Sequence, residues 1–207
     1  MNVFETEAAR YERWFEKHPG TYQSELAAIR EIVPESGRGL EIGTGTGLFS
    51  VPFGIVDGVE PASAMRQVAL DRGLNVLDAK AEALPFDDET FDFALMVTTI
   101  CFVDDPLQTC REAWRVLKPG GRLVIGLVDL DSELGQQYEV RKSESPFYRT
   151  ARFVSASETI QLLDDAGFCN FRCRQTLFHP MNGSEAVEPA RKGFGEGGFV
   201  VVSGQRP

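Results

Sequence analysis

Apolar residues recur along this chain with two alternating periods. Short, almost unbroken apolar runs stand at Arg38–Ile42, before Val59-Glu60, at Leu74–Leu77, at Phe91–Val97 (FDFALMV) and at Arg122–Val128. Such runs suit parallel strands covered on both faces. Between them lie stretches with helical spacing. Ala62–Arg72 puts Met65, Val68 and Ala69 on one face and stops at Gly73, while Leu107–Leu117 runs into Lys118-Pro119-Gly120-Gly121. A short helix is expected near Leu48–Phe53. Strand and helix in alternation predict an α/β fold with a doubly wound, mostly parallel sheet.

The two ends of the chain depart from that alternation. Residues 3–17 and 22–33 read as helices parted by His18-Pro19-Gly20. Near the other end, Ser155-x-x-Glu158 is a capping box that opens a helix stopping at Gly167. Phe168–Phe178 and Gly198–Ser203 follow as strands with no helix between them, so one of them runs antiparallel to its partner. Asp131–Val154 has no clear period and is long for a connection, which marks it as a candidate lid or substrate-binding insertion. The expected organisation is a helical cap over residues 1–34 and a main domain over 35–207 that carries the 131–154 insertion.

Composition narrows the function classes. A chain of 207 residues with 43% hydrophobic and 25% charged residues suits a globular protein with a sizeable core. No apolar run is long enough to cross a bilayer, and the N-terminus lacks the pattern of a signal peptide, so a cytoplasmic protein with no membrane partner is expected. A net charge of −10 speaks against a nucleic-acid partner. Cys101, Cys110, Cys169 and Cys173 form no CxxC pair and only two histidines exist, so no metal site is expected, and Cys169 and Cys173, four apart in an expected strand, read as small buried hydrophobes.

The candidate chemistry sits in GLEIGTGTGLFS, Gly39–Ser50. A strand delivers the chain to a turn that needs positive φ and close backbone approach, which glycine allows. Ligands in such sheets bind at the carboxyl ends of the strands. The dinucleotide fingerprint G-x-G-x-x-G would need glycine at 48, where this chain has Leu; the pattern Gly43-x-Gly45-x-Gly47 differs. Glu41 beside the turn disfavours a pyrophosphate and suits a cofactor with cationic sulfonium and ammonium groups. Glu60 ends the second strand, where an acid can accept hydrogen bonds from ribose hydroxyls.

With these residues in view, the chain resembles the class I S-adenosylmethionine-dependent methyltransferases of the group with an LPF motif. EIGTGTG, GVEPASAM (Gly58–Met65), AKAEALPF (Ala79–Phe86), FDFALMVTTICFVDDP (Phe91–Pro106) and REAWRVLKPGGRLVIG (Arg111–Gly126) match that group's motifs in order. The resemblance implies a seven-stranded Rossmann-like sheet with an antiparallel C-terminal strand. It implies methyl transfer from S-adenosylmethionine, leaving S-adenosylhomocysteine. It also implies a cofactor site of Glu41, Gly43, Thr44, Gly45, Gly47, Glu60, Pro61, Met65, Ala81, Glu82 and Thr98. Lys80 departs from the pattern: the group often has Asp there to accept from adenine, and an ammonium cannot accept. Lys80 then reads as a surface residue, with adenine held by backbone near Ala81, by stacking or by Glu82.

The acceptor is expected to be a small molecule. Its candidate pocket residues are Tyr11, Trp14 and Tyr22 of the N-terminal helices, with Phe102 and Tyr148. Core packing is the plainer reading of Trp14, since 11, 14 and 15 have helical spacing. No catalytic residue is assigned, because in-line methyl transfer needs a base only for a protonated acceptor. His18 and His179 read as surface or structural. Thr98-Thr99-Ile100-Cys101 stands where an Asn/Asp-Pro-Pro-Tyr segment would mark amino-methylation of bases or amides. Two other readings compete: a non-catalytic S-adenosylmethionine-binding protein, and an NAD-dependent oxidoreductase.

Overall fold

A computed structural model describes residues 3–179 and 186–207. Two helices open the chain: α1 (Ala8–Lys17) and α2 (Pro19–Arg30), preceded by a single 3-10 turn at Val3–Glu5. The break between them is one residue, His18, because Pro19 takes the first position of α2, where its missing N–H costs nothing. The sheet then builds through β1 (Gly39–Ile42), β2 (Asp57–Val59), α3 (Ser63–Asp71), β3 (Asn75–Leu77), β4 (Phe91–Val97), α4 (Pro106–Val116) and β5 (Leu117–Val128). Next come α5 (Glu133–Arg141), α6 (Ala156–Asp165), β6 (Cys169–Thr176), β7 (Arg191–Lys192) and β8 (Phe199–Gln205).

These strands form one eight-stranded sheet in the order β3-β2-β1-β4-β5-β8-β6-β7. β3, β2, β1, β4 and β5 pair in parallel; β8 lies antiparallel between β5 and β6. The antiparallel C-terminal strand is the one expected. The eighth strand is not: β7 is a two-residue edge paired with Arg174 and Gln175, inside what reads from sequence as a loop. Two residues are too few to carry a period.

Three more departures have local causes. The helix expected near Leu48–Phe53 is only a 3-10 turn at Val51–Phe53. Pro52 lacks an N–H and its ring opposes the carbonyl four residues back, and Gly54 ends the turn at φ 65. β5 begins at Leu117 rather than Arg122, because Leu117 pairs with Phe91 before Lys118–Gly121 bulges out and pairing resumes at Arg122. The aperiodic 131–154 segment holds α5 and two 3-10 turns, and Leu134 and Tyr138 of α5 face inward four residues apart. The capping box forms as read: Ser155 Oγ accepts from the Glu158 amide at 3.1 Å, and the Glu158 carboxylate accepts from the Ser155 amide at 2.8 Å.

The core lies on both faces of the sheet. One face packs α4 and α6 through Cys110, Ala113, Val116 and Leu163; the other packs α2 through Leu26, Ala28 and Ile29 against Phe93, Leu95 and Val201. No described helix is long and apolar enough to cross a membrane. What this arrangement positions is the carboxyl ends of β1, β2, β4 and β5, all of which open toward α1, α2 and the 131–154 insertion.

Candidate active site

The carboxyl end of β1 runs into the glycine turn. Gly43, Gly45 and Gly47 all have positive φ, at 73°, 56° and 85°. A Cβ on Gly43 would lie 2.4 Å from the Thr99 side chain, so the turn packs against the loop after β4 only without one. A Cβ on Gly45 would meet nothing nearer than the Tyr11 hydroxyl at 3.9 Å, so this glycine leaves room for a ligand.

Glu60, at the end of β2, ties that turn to the next helix. One carboxylate oxygen accepts from the Gly45 amide at 2.9 Å, the other from the Ala62 amide at 2.8 Å. Burial pushes this acid up from its ordinary range, against the pull of those two amides. Each oxygen keeps a lone pair for a hydroxyl ligand. Arg66 supports the corner by donating to the Glu60 carbonyl at 2.6 Å and pairing with Asp78 at 3.0 Å.

An enclosed cavity of about 440 Å³ starts at this corner. Gly43, Gly45, Glu60, Pro61, Met65, Ala81, Glu82 and Thr98 line it, as do Tyr11, Trp14, Phe102 and Tyr148. Four of the expected residues do not. Glu41 is fully buried beneath the turn, where its carboxylate accepts from Ser50 Oγ, and burial raises it to about 8. Thr44 donates to the Glu41 and Val59 carbonyls at 3.1 and 3.3 Å, and Gly47 faces Leu74. Tyr22 is turned away: its hydroxyl donates to the Leu48 carbonyl at 2.5 Å and its ring packs on Phe15 and Phe49. These four shape the turn from behind.

At the rim near Ala81, Glu82 uses its carboxylate to accept from the Asp104 and Asp105 amides at 2.7 and 3.2 Å, which holds the loop between β4 and α4. Lys80 pairs with Asp104 at 2.8 Å, both side chains largely exposed, in keeping with its reading as a surface residue. Thr98 closes β4 with φ 48, a strained value for a β-branched residue; its amide donates to the Gly126 carbonyl at 2.7 Å.

Aromatic rings wall the other end. Phe4 meets Phe102 edge-on at 5.1 Å and Phe147 at 5.8 Å; Tyr11 meets Phe147 at 6.1 Å; Tyr148 contacts Tyr138 at 5.2 Å. The N-terminal segment and the 131–154 insertion therefore touch each other over the cavity. Glu5 anchors the first of them by accepting from the Ser63 amide and hydroxyl at 2.9 and 2.7 Å. Burial raises Tyr138 to about 12 and Tyr148 well above its ordinary value. Neither histidine lines the cavity: His18 stacks on Trp14 at 4.5 Å, and His179 lies exposed near Glu188.

Sequence reasoning missed Glu25, Phe4 and Tyr138 in the lining. Glu25 carried a readable signal. It shares a helical face with Ala28, Ile29 and Ile32, all buried, so an acid interrupts an apolar stripe. Phe4 sits in a three-residue turn too short to show one, and α5 around Tyr138 has too few apolar residues to show a stripe.

Residues 40–125 match the family model of a methyltransferase domain. A crystal structure of a Thermotoga maritima S-adenosylmethionine-dependent methyltransferase, described as a possible histamine N-methyltransferase, shares 50% identity and a TM-score of 0.96 over 99% of each chain. The chain belongs to the S-adenosylmethionine-dependent methyltransferases. An uncharacterised protein of Methanocaldococcus jannaschii is 45% identical over 206 residues, the full length of both chains. A demethylmenaquinone methyltransferase of Roseiflexus castenholzii is 31% identical over 140 residues, covering 63% of this chain and 54% of its own. The methyltransferase family fits the site: Glu60, the open face of Gly45 and the adjoining cavity suit a nucleoside with a charged amino-acid tail. The NAD reading is set aside.

Proposed function

We propose that this methyltransferase alkylates a small molecule held in the aromatic half of the cavity. The observation that carries this is the cavity's division into a polar corner around Gly43, Gly45 and Glu60 and an aromatic chamber enclosed by α1, α2 and the 131–154 insertion. The whole cavity, cofactor corner included, measures about 440 Å³, which suits a small ligand beside a cofactor and leaves no place for a folded macromolecule. A net charge of −10 adds that nucleic acid is not the acceptor.

S-adenosylmethionine supplies the electrophilic methyl group. The chain's own part is to hold and align. Glu60 accepts from ribose hydroxyls. Gly43 and Gly45 let the backbone approach the amino-acid tail, with Pro61, Met65, Ala81, Glu82 and Thr98 around the nucleoside. Tyr11, Trp14, Phe102 and Tyr148 orient the acceptor and exclude water. Alignment of this kind can lower a barrier by roughly 7–11 kcal/mol without any acid or base. The N-terminal segment and the insertion act as the lid. The test is a metabolite-pool screen with methyl-labelled cofactor. A labelled small molecule, absent with a Glu60→Ala variant, is the expected result. Label only in protein or RNA, or none from any pool despite bound S-adenosylhomocysteine, would overturn the proposal.

A further inference from the structure

Each other buried carboxylate around the cavity has a partner: Glu41 has Ser50, Glu60 has two amides, and Asp129 accepts from the Asp131 and Ala156 amides. Glu25 is the exception. It is 6% exposed, lines the cavity, and has no hydrogen-bond or ion-pair partner among the described residues. It sits in the middle of α2, so its place is fixed by the helix. Tyr11, Tyr138 and Tyr148 lie close enough to feel its charge.

The Glu25 carboxylate thus faces the cavity with no protein group to bond it, in surroundings that disfavour its charge. The chamber's other groups do not offset this. Among the described residues Lys80 is the one basic side chain in the lining, and it is already paired with Asp104. Glu60, Glu82 and Asp104 add further negative charge. Phe4, Tyr11, Trp14, Phe102, Tyr138 and Tyr148 add aromatic faces, which attract cations, among aliphatic side chains such as Leu134 and Leu177.

Resting on the reading of this chamber as the acceptor site, we propose that Glu25 is a substrate-binding residue and that the acceptor carries a basic nitrogen, held as a cation against its carboxylate. Ligand and carboxylate would each supply what the other lacks: the cation a buried counter-charge, the acid its missing donor. Burial raises the Glu25 acid to about 8, so at neutral pH the protonated form prevails. An arriving cation favours the ionised form, and the displaced proton leaves to solvent. The groups facing Glu25 do not mimic this. Tyr11, Tyr138 and Tyr148 are raised above neutral range, mainly by burial; Glu41 and Glu60 are raised too but lie toward the cofactor corner.

The test uses two matched probe pairs, 2-phenylethylamine with 2-phenylethanol and tryptamine with tryptophol, titrated calorimetrically into the full chain saturated with S-adenosylhomocysteine. The amines should bind tighter than their alcohols by about tenfold or more, as expected for a charge-assisted hydrogen bond. At pH 7 their binding heat should vary with buffer ionisation enthalpy, which reports proton release from the wild-type protein alone. Glu25→Gln should abolish both the preference and the proton release and leave S-adenosylhomocysteine affinity unchanged. Equal binding of amine and alcohol to wild type would overturn the proposal, as would a preference that survives Glu25→Gln. A Glu25→Gln variant that loses S-adenosylhomocysteine would assign the carboxylate to the cofactor instead. Failure of the wild-type protein to bind S-adenosylhomocysteine at all would sink the broader reading of the cavity, a separate outcome.

Discussion

The two ends of the cavity are built from different materials. The corner proposed for the cofactor is made by backbone: three left-handed glycines, two amides held by Glu60, and strand ends locked in a parallel sheet. The chamber proposed for the acceptor is made by side chains on helices and turns: Phe4, Tyr11, Trp14, Tyr138, Phe147 and Tyr148. A backbone site is rigid and tolerates little change, whereas a side-chain site can be re-lined without touching the sheet. That difference fits a scaffold that keeps one cofactor while its acceptors vary.

The sharpest way to probe the contrast is pH. Glu25 has an ordinary value of 4.5 and is raised to about 8 by burial. Below 4.5 both folded and unfolded chains hold the proton, and its stabilising effect is fully present. As pH climbs toward 8 the unfolded chain ionises while the folded one does not, so stability falls by up to about 1.4 kcal/mol per pH unit. Glu25→Gln should therefore raise the melting temperature at pH 7–8 and have little effect near pH 4.5. Glu41 contributes a similar slope from the cofactor corner, with burial the main cause, so that slope should persist in the variant. A variant no more stable than wild type at pH 8 would show that the acceptor chamber carries no such cost.

Next in size is Glu60→Ala. It should weaken S-adenosylhomocysteine binding by about 1.5–3 kcal/mol in calorimetry, the range for a lost bond to a charged group. Wild-type affinity would remove this acid from the cofactor corner. Smaller is the split between two tyrosines. Tyr11→Phe should lower kcat/KM about tenfold, matching a lost hydrogen bond of about 1.4 kcal/mol. Tyr22→Phe should leave kcat/KM alone and cost about 1 kcal/mol of stability, since its hydroxyl is bonded to the Leu48 carbonyl. Equal kinetics for both variants would deny the Tyr11 hydroxyl a role. The smallest is Lys80→Ala, which should shift cofactor affinity by under about 0.5 kcal/mol, as for an exposed pair.

The backbone half of the cavity was the legible half. A glycine turn between a strand and Glu60 announces itself because each conformational demand selects a residue type. What the spacing did not show was depth: Glu41 and Thr44 stand beside the glycines in the chain yet bond beneath them. The aromatic half was legible only where helices were long. Tyr11 and Trp14 have a ten-residue helix to place them, whereas Phe4 lies in a three-residue turn and meets its neighbours solely through tertiary contact. Tyr22 reads like Tyr11 in sequence, an aromatic with a hydroxyl on an N-terminal helix. A carbonyl twenty-six residues away decides which one faces the cavity.

Glu5 grips Ser63 at the cofactor corner, while Phe4, its neighbour, presses on Phe102 and Phe147 over the other chamber. One residue of chain thus joins a latch at one door to a shutter at the other. In the lid proposed above, release at one end of the cavity and entry at the other would then share a single opening.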